Sequence, residues 1–368
     1  MKFFIFIPHM NVGGVERSFL SLSEQLMSKG HEVSIVTLNQ SKSGMHFNEK
    51  IEIIYIDSSK TSYSLLRLRK ILYKNKPDIL ISAQYYANII SVIASKLSKH
   101  KVKIILSERL HLSTTLKQYS FTKRLILKIL VKLTYNHSDL IYGNSESVCN
   151  DLKSNFVNGS KKVVKIYNPS FSQKIIHLSK EKVNDAWISE SKDPIILYVG
   201  RLSKQKDMWT LIKVFENILN KIDSKLLIIG DGPEKKSIET YLSKNTKIAN
   251  RIKMTGNDHN PYKYFKYSKV FLLTSLYEGL PNVLIESQIL NLPIVATNSP
   301  GGTAEVVEYG KSGYLAELNN HEDLSNKVLK VLSNEISIKE LKKNMSLSVK
   351  RFNPSYVTDQ LIDHIENI

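Results

Sequence analysis

The chain alternates short apolar runs with longer stretches in which apolar residues recur every three or four positions. The runs have the length and composition of buried strands, and the longer stretches, such as residues 15–29 and 64–72, have the period of helices. In the first half of the chain, strands are predicted at residues 2–7, 33–37, 52–55, 78–81, 103–106 and 139–142. Strands that alternate with helices in this way build a parallel sheet with helices on its faces.

A second series follows Tyr167-Asn168-Pro169, with strands predicted near residues 195–199, 225–229, 252–254, 269–273 and 293–296. A chain of 368 residues is long enough for two domains, each with its own core. We therefore predict an α/β fold of two Rossmann-like, doubly wound domains, residues 1–170 and 171–350, and a helix at 351–368 that packs back toward the first domain. Ligands bind at the carboxyl ends of such strands, so facing domains would place the site in the cleft between them.

Cysteine content and the apolar runs favour a cytoplasmic protein. The single cysteine, Cys149, cannot form an internal disulfide, and no Cys/His cluster has zinc-binding spacing, so we expect no metal. The apolar run at residues 2–7 ends at Pro8 and lacks the length of a signal peptide. No apolar run is long enough to span a bilayer.

Positive charge is concentrated in the first half of the chain. The net charge is +18; residues 1–168 carry 25 Lys and Arg against 11 Asp and Glu, whereas residues 169–368 carry 27 against 23. A localised basic surface predicts a polyanionic neighbour, either an anionic membrane or a nucleic acid. The alternative is a lysine-rich surface that serves solubility and has no partner.

Residues 115–133 have the pattern of a basic amphipathic helix. Arg124, Lys128 and Lys132 recur every four residues beside a stripe of leucines and isoleucines. Such a helix can lie on an anionic bilayer, or it can pack its leucines on its own sheet with the lysines outward. The basic first half favours the first interpretation and predicts a peripheral protein on the inner face of the plasma membrane.

Glycines follow several of the predicted strands. Gly13 and Gly14 precede the first helix, where free N–H groups can bind a phosphate or a hydroxyl, although glycines that only form the turn would look the same. Gly200 ends the strand at 195–199. Gly256 and Asn257 end another strand, where exposed backbone groups can meet a nucleobase edge.

Two cations follow the glycine that ends the strand at 195–199. Arg201 can form a fork of hydrogen bonds to phosphate oxygens, and Lys206, five residues later, adds a point charge. Together they can hold a diphosphate. Two solvated cations in a loop are the alternative.

Two carboxylates flank the start of a later helix. Glu278 lies in the loop after the strand at 269–273, Pro281 suits the first turn of the next helix, and Glu286 lies within that helix. Carboxylates accept hydrogen bonds from sugar hydroxyls, and the free N–H groups of residues 279–282 favour a phosphate. One loop can therefore bind both ends of a sugar nucleotide.

Four ordered motifs span the second half: Arg201-x4-Lys206, Gly230-Asp231-Gly232-Pro233-Glu234, Glu278-x7-Glu286 and Gly301-Gly302-Thr303-x-Glu305. With Gly13-Gly14-Val15-Glu16-Arg17 near the start of the chain, this set resembles the retaining glycosyltransferases of family four, which have the GT-B fold. The resemblance covers nearly the whole chain and is sharper in the second half.

The resemblance implies roles for the motif residues. Arg201 and Lys206 would hold the diphosphate and stabilise the departing nucleotide, Glu286 would bind the ribose hydroxyls, and Glu278 would contact the donor sugar. The residues expected along the sugar and phosphates are Gly279, Leu280, Pro281 and Asn282, with Gly13 and Gly14 across the cleft.

The first domain would bind the acceptor, and Glu16 and Arg17 are expected on that side. Many family members carry a histidine near the reacting centre, and here the matching stretch reads Ser107-Glu108-Arg109-Leu110-His111. His111 is therefore a candidate catalytic residue. Glu108 and Arg109 come sooner after the strand, so which residue meets sugar or acceptor stays open, as does a histidine without a catalytic role.

The resemblance also implies the reaction. A hexosyl or N-acetylhexosaminyl group would move from a nucleotide-diphosphate sugar, by family habit a UDP-sugar, to a saccharide acceptor with retention at the anomeric carbon. Fixed cations would replace a metal or other cofactor, and the chain has no Asp-x-Asp motif. Similar enzymes often extend polyprenyl-diphosphate-linked saccharides in capsule or O-antigen synthesis.

The positive charge and the predicted fold each suggest an alternative function. The positive charge suggests a nucleic-acid-binding protein, but the chain lacks aromatic-basic, helix-turn-helix and zinc-finger signatures, so we expect no nucleic-acid partner. A sugar-nucleotide epimerase of the same fold is the closer alternative, and it would act on the donor without any acceptor.

Overall fold

The computed structural model of the protein describes residues 1–10, 13–39, 49–159, 162–333, 335 and 337–368. These residues form two compact units. The first domain contains Met1–Ser170 and Phe352–Ile368, and the second domain contains Phe171–Arg351.

Each domain is built on one parallel sheet. The seven strands of the first sheet have the order β3-β2-β1-β4-β5-β6-β7, and the six strands of the second have the order β10-β9-β8-β11-β12-β13. The strands are β1 (Lys2–Phe6), β2 (Glu32–Thr37), β3 (Glu52–Tyr55), β4 (Ile79–Ala83), β5 (Lys103–Glu108), β6 (Leu140–Gly143), β7 (Val163–Lys165), β8 (Ile195–Val199), β9 (Lys225–Ile229), β10 (Ile252–Gly256), β11 (Val270–Leu273), β12 (Ile294–Thr297) and β13 (Tyr314–Ala316).

Helices follow most of the strands. They are α1 (Gly14–Ser28), α2 (Leu65–Asn75), α3 (Tyr85–Leu97), α4 (Leu112–Leu116), α5 (Phe121–Tyr135), α6 (Glu146–Asn155), α7 (Gln173–Leu178), α8 (Ala186–Ser189), α9 (Met208–Leu219), α10 (Lys235–Lys244), α11 (Thr246–Ala249), α12 (Asn282–Ile289), α13 (Thr303–Val306), α14 (His321–Leu332), α15 (Ile338–Ser348) and α16 (Pro354–Glu366).

The apolar runs predicted these strands because both faces of each sheet are covered. In β1, Phe4 and Phe6 belong to one apolar layer with α3 and α5, whereas Phe3 and Ile5 belong to the opposite layer with α1 and α16. A strand buried on both faces has a continuous apolar sequence, and every predicted strand overlaps an observed one. The fold class predicted from the sequence, two parallel α/β domains, is confirmed.

The predictions missed two strands and misplaced one helix boundary. The edge strands β7 and β13 have three residues each and offer no apolar run to detect. The expectation of one helix over 115–133 was wrong in extent, because α4 ends at Leu116 and α5 begins at Phe121. Turn hydrogen bonds fill the gap, such as that from Tyr119 N–H to the Leu116 carbonyl at 3.2 Å.

The last segment of the chain belongs to the first domain. Val357, Leu361 and Ile365 of α16 are buried in the layer that holds Phe3. Lys29, which directly follows α1, pairs with Asp359 of α16 at 2.6 Å. None of the helices in the described part of the chain is long and apolar enough to cross a membrane.

Strand order marks one candidate ligand position in each sheet. The order of the strands reverses between β1 and β4 in the first domain and between β8 and β11 in the second. Loops leave the carboxyl ends of two such neighbours in opposite directions, which opens a crevice at that edge of the sheet. In the second domain, this edge carries Arg201 and Lys206 after β8 and Glu278 after β11.

Candidate active site

Hydrogen bonds join the loop after β8 to the loop after β11. Leu276 N–H donates to the Gln205 carbonyl at 2.8 Å, and the Gln205 side-chain amide donates to the Tyr277 carbonyl at 3.0 Å. The Thr274 hydroxyl donates to the Lys206 carbonyl at 2.9 Å. Asp207 then begins α9 by accepting from Thr210 N–H at 3.2 Å. Backbone and side-chain hydrogen bonds therefore hold the loop after β8 against the loop after β11.

Lys206 and Glu278 meet in this crevice. The Lys206 ammonium pairs with Oε1 of Glu278, and the side chains are only 17% and 6% exposed. The Ser275 hydroxyl donates to the same carboxylate oxygen at 2.6 Å. Two residues that lie 72 positions apart in the sequence thus form one partly buried ion pair.

Arg201 lies at the carboxyl end of β8 with an exposed side chain. Its carbonyl accepts a hydrogen bond from the Tyr198 hydroxyl at 3.2 Å, which fixes its backbone. Among the residues that the structure describes, none pairs with its guanidinium. Arg201 is therefore available to bind an anion at the sheet edge that also carries Lys206.

Glu286 occupies the buried face of α12. The Tyr262 hydroxyl donates to its Oε1 at 3.3 Å. The helix begins at Asn282, so the prediction that Pro281 occupies the first turn was wrong by one residue. Pro281 precedes the helix in an extended conformation with φ −72° and ψ 97°, and its carbonyl accepts from Leu284 N–H in the first turn at 3.0 Å.

The loop after β12 packs on the Glu278 loop. Glu278 N–H donates to the Pro300 carbonyl at 2.8 Å, and Gly302 N–H donates to the Gly279 carbonyl at 2.6 Å. Gly301 has φ +118°, and a Cβ there would lie 2.0 Å from the Glu278 carbonyl oxygen. Glycine is required at Gly301 because the two loops touch through their backbones.

The loops after β8, β9 and β10 also touch through their backbones. Gly230, with φ +139°, lies so close to Gly200 that a Cβ would come within 2.0 Å of the Gly200 carbonyl oxygen. Gly230 N–H donates to the Gly256 carbonyl at 2.8 Å. Gly200 and Gly256 thus lie on either side of the end of β9, and Asn257 is exposed directly after β10. Their role toward a nucleobase stays a prediction.

His111 lies at the start of α4 in the first domain. The Thr114 hydroxyl is 3.0 Å from its Nδ1, and the Asp151 carboxylate is 3.6 Å from the same nitrogen. Asp151 also accepts from Ser113 N–H at 2.9 Å, so the carboxylate is tied to the same loop. These contacts orient the imidazole, and its catalytic role stays a prediction.

Glu108 is buried at the end of β5. Its Oε2 accepts from the Tyr135 hydroxyl at 2.7 Å, and its Oε1 accepts from Arg109 N–H at 3.0 Å. Burial raises the pKa of Glu108 to about 7, although these hydrogen bonds oppose the rise.

Arg109 is buried among different partners. Its guanidinium donates to the Asn168 side chain and to the Tyr142 hydroxyl, and it lies 4.4 Å from the centre of the Phe19 ring. Burial lowers the pKa of Arg109. Both Glu108 and Arg109 therefore face interior partners, and their expected acceptor-side role stays a prediction.

The first glycine pair lies at the start of α1, which begins at Gly14. Arg17 N–H donates to the Gly13 carbonyl at 3.1 Å. The Glu16 carboxylate folds over Gly13, where an added Cβ would lie 2.3 Å from its Oε2. Burial raises the pKa of Glu16. Asn11 and Val12 of the same loop lie outside the described residues.

Sequence reasoning did not anticipate Ser275, Tyr262 or Asp151. Ser275 lies three residues before Glu278 and was visible as a polar residue beside the carboxylate. Tyr262 and Asp151 contact Glu286 and His111 only through the tertiary fold, and the local sequence around them carries no signal of those contacts.

Two family sequence models match the chain. The one described as glycosyl transferases group 1 matches residues 179–351, and the one described as glycosyltransferase family 4 matches residues 12–169. Together they span most of both domains.

Individual proteins match over much of the chain. An uncharacterized glycosyltransferase of Methanocaldococcus jannaschii is 30% identical over 268 residues, which cover 71% of this chain and 65% of the relative. The N-acetylgalactosamine-N,N'-diacetylbacillosaminyl-diphospho-undecaprenol 4-alpha-N-acetylgalactosaminyltransferase of Campylobacter jejuni is 28% identical over 362 residues, which cover 95% of each protein. The crystal structure of Anabaena HepE in complex with UDP has the same fold, with a TM-score of 0.80 at 17% identity and full coverage of both chains.

Proposed function

We propose, from the premise that this chain belongs to the glycosyltransferases of family four and has their GT-B fold, that it transfers sugar from a UDP-sugar with retention of anomeric configuration. The chain is a glycosyltransferase; the donor, the stereochemistry and the acceptor are the proposal. The observation that carries it is the Lys206–Glu278 pair at the switch point of the second sheet, where Arg201 also follows β8.

The second domain would hold the donor. Arg201 and Lys206 would supply two positive charges for the two phosphates, and the positive end of the α12 dipole would favour the same negative charge. Glu278 would accept hydrogen bonds from the sugar hydroxyls, and Glu286 from the ribose hydroxyls. Lys206 would then be shared between Glu278 and the diphosphate, and the paired carboxylate would keep the ammonium in position.

Retention would follow from attack on the side of the leaving group. As the anomeric bond breaks, positive charge develops on the sugar ring and negative charge on the β-phosphate. Arg201 and Lys206 would face that developing charge, and such preorganised cations stabilise a transition state without a metal. We therefore propose metal-independent transfer.

The acceptor would be a saccharide linked to a polyprenyl diphosphate. Support comes from the Campylobacter jejuni relative, whose name describes transfer to a diphospho-undecaprenol-linked saccharide and which matches nearly the whole chain. We propose that this enzyme acts in the synthesis of a bacterial surface polysaccharide such as capsule or O-antigen.

An anionic membrane surface would be the second partner. In α5, five large apolar side chains are about half or more exposed: Phe121 (69%), Leu125 (49%), Ile126 (58%), Ile129 (49%) and Leu133 (60%). Lys123, Arg124, Lys128 and Lys132 lie among them. Val131, Thr134 and Tyr135 of this helix are buried and Leu127 and Leu130 pack against the core, whereas the five exposed apolar side chains have no such packing. A helix with these properties would hold the enzyme on the cytoplasmic face of the membrane.

A donor panel followed by a transfer assay tests this function. The protein is heated with UDP-, GDP- and ADP-sugars, and a UDP-sugar is expected to raise the melting temperature most. The stabilising donor is then incubated with undecaprenyl-diphosphate-linked N-acetylhexosamines in the presence of EDTA, and NMR of the product reports the anomeric configuration. An inverted linkage, or activity that EDTA abolishes, would contradict the mechanism. Epimerisation of the donor without acceptor would favour the epimerase alternative.

A further inference from the structure

The switch point of the first sheet carries a strained residue. Gln84 directly follows β4, which is the neighbour of β1 at the point where the strand order reverses. Its backbone has φ 73° and ψ 142°, close to a region that glycine alone populates readily. Strain of this kind persists where the surrounding structure imposes it, and it concentrates at ligand sites.

Three contacts hold Gln84 in this conformation. Its N–H donates to the Ser107 carbonyl at 3.1 Å, and its carbonyl accepts from Asn88 N–H at 2.9 Å. The Tyr86 hydroxyl donates to the Gln84 side-chain oxygen. Because Oε1 is occupied, the amide NH₂ is the free end, and it has no hydrogen-bond partner among the described residues. The side chain is half-buried and thus presents a fixed donor.

Two carboxylates lie near the tyrosine that holds this donor. Burial raises the pKa of Tyr86 to about 12, with smaller contributions from the nearby carboxylates of Glu16 and Glu108. Tyr86 therefore stays protonated and keeps donating to Gln84. Glu16 reaches the same edge from the first turn of α1, directly after β1. Sugar hydroxyls can accept from the Gln84 amide and also donate to a carboxylate, whereas an anionic group has no donor to offer the carboxylate.

We propose that Gln84, Tyr86 and Glu16 form a subsite in the first domain for the hydroxyl groups of a neutral sugar ring. This inference rests on the proposed function and deepens it. The ring is the terminal sugar of the acceptor, and the diphosphate of that acceptor binds elsewhere. The strained backbone of Gln84 is the cost of presenting its amide.

Gln84→Gly separates strain from binding. Glycine relieves the backbone strain and removes the amide, so this variant is expected to melt at a higher temperature than the wild type. It is also expected to raise the KM for an undecaprenyl-diphosphate-linked N-acetylhexosamine by about tenfold or more and to leave the KM for the UDP-sugar within about twofold. Tyr86→Phe, which frees the amide to rotate, is expected to raise the acceptor KM in the same direction.

Lys99→Gly is the matched control. Lys99 also has positive φ, at 59°, but it lies on the surface at the far end of α3, so glycine there changes backbone strain without touching the subsite. Its acceptor KM should equal that of the wild type. A Gln84→Gly enzyme with wild-type acceptor KM would overturn the inference and leave the proposed function intact. Absence of transfer in the wild type would count against the proposed function. In that case, a Gln84→Gly variant that melts at a lower temperature than the wild type would still overturn the inference.

Discussion

Replacing Lys206 by alanine should damage both stability and catalysis, and the two effects can be separated. The Glu278 carboxylate is nearly buried, and Lys206 is its cationic partner. Without Lys206, the carboxylate retains the Ser275 hydroxyl but no positive charge. Removing one partner of a buried pair costs about 3 kcal/mol, so Lys206→Ala should unfold at a clearly lower urea concentration.

A double variant that adds Glu278→Gln to Lys206→Ala separates the two effects. The glutamine has no charge to leave uncompensated, so Lys206→Ala/Glu278→Gln should recover most of the lost stability. Turnover should not recover, because the double variant lacks the Glu278 carboxylate at the donor sugar and, like Lys206→Ala, lacks one charge-assisted contact to the diphosphate. That contact is worth about 1.5–3 kcal/mol, or roughly ten- to a hundredfold in kcat.

The assay uses the two tryptophans of the chain, Trp187 and Trp209, which both lie in the second domain. Urea unfolding followed by tryptophan fluorescence therefore reports the stability of the domain that carries the pair. Turnover is measured with saturating UDP-sugar and acceptor. If Lys206→Ala keeps wild-type stability, the ion pair does not contribute as argued. If the double variant regains wild-type turnover, Lys206 does not act on the diphosphate.

Three further predictions concern other parts of the molecule. The pKa of Glu108 is raised by burial to about 7 from an ordinary value near 4.5, so its contribution to stability is full below about pH 4.5 and is lost as pH rises through about 7. Glu108→Gln should remove this loss of stability, which amounts to about 3 kcal/mol. The prediction is contradicted if chemical unfolding of Glu108→Gln between about pH 4.5 and 8 depends on pH as it does in the wild type. In α5, the double variant Ile126→Ser/Ile129→Ser should float less with phosphatidylglycerol vesicles at low salt. Leu347→Ser, at a similarly exposed site in the second domain, should float like the wild type. A wild-type protein that does not float would refute the proposed membrane surface. Gly301→Ala should weaken UDP binding and lower the melting temperature more than Gly310→Ala, which also has positive φ but meets no atom within 4 Å; equal effects would show that contact with the Glu278 loop is unimportant.

The sequence predicted the elements of the fold well because buried parallel strands have continuous apolar sequences. It missed β7 and β13, which have only three residues and lie at sheet edges. It also extended the basic helix across residues 117–120, because the spacing of apolar residues continues through a turn that only the backbone reveals.

The sequence predicted candidate residues for the site but not the contacts between them. The pairing of Lys206 with Glu278 requires β8 and β11 to be neighbours, and strand order cannot be derived from the apolar pattern. Glu108 and Arg109 were expected on the acceptor side from their position after a strand, yet their burial depends on Tyr135, Tyr142 and Asn168, which are distant in sequence. The sequence did not predict the strain at Gln84, since a glutamine residue does not indicate a positive φ.

A crystal structure of the protein with UDP tests the central claim most directly. The account predicts diphosphate oxygens within about 3 Å of both the Arg201 guanidinium and the Lys206 ammonium, with the ribose hydroxyls on the Glu286 carboxylate. A nucleotide whose diphosphate contacts neither cation would contradict it.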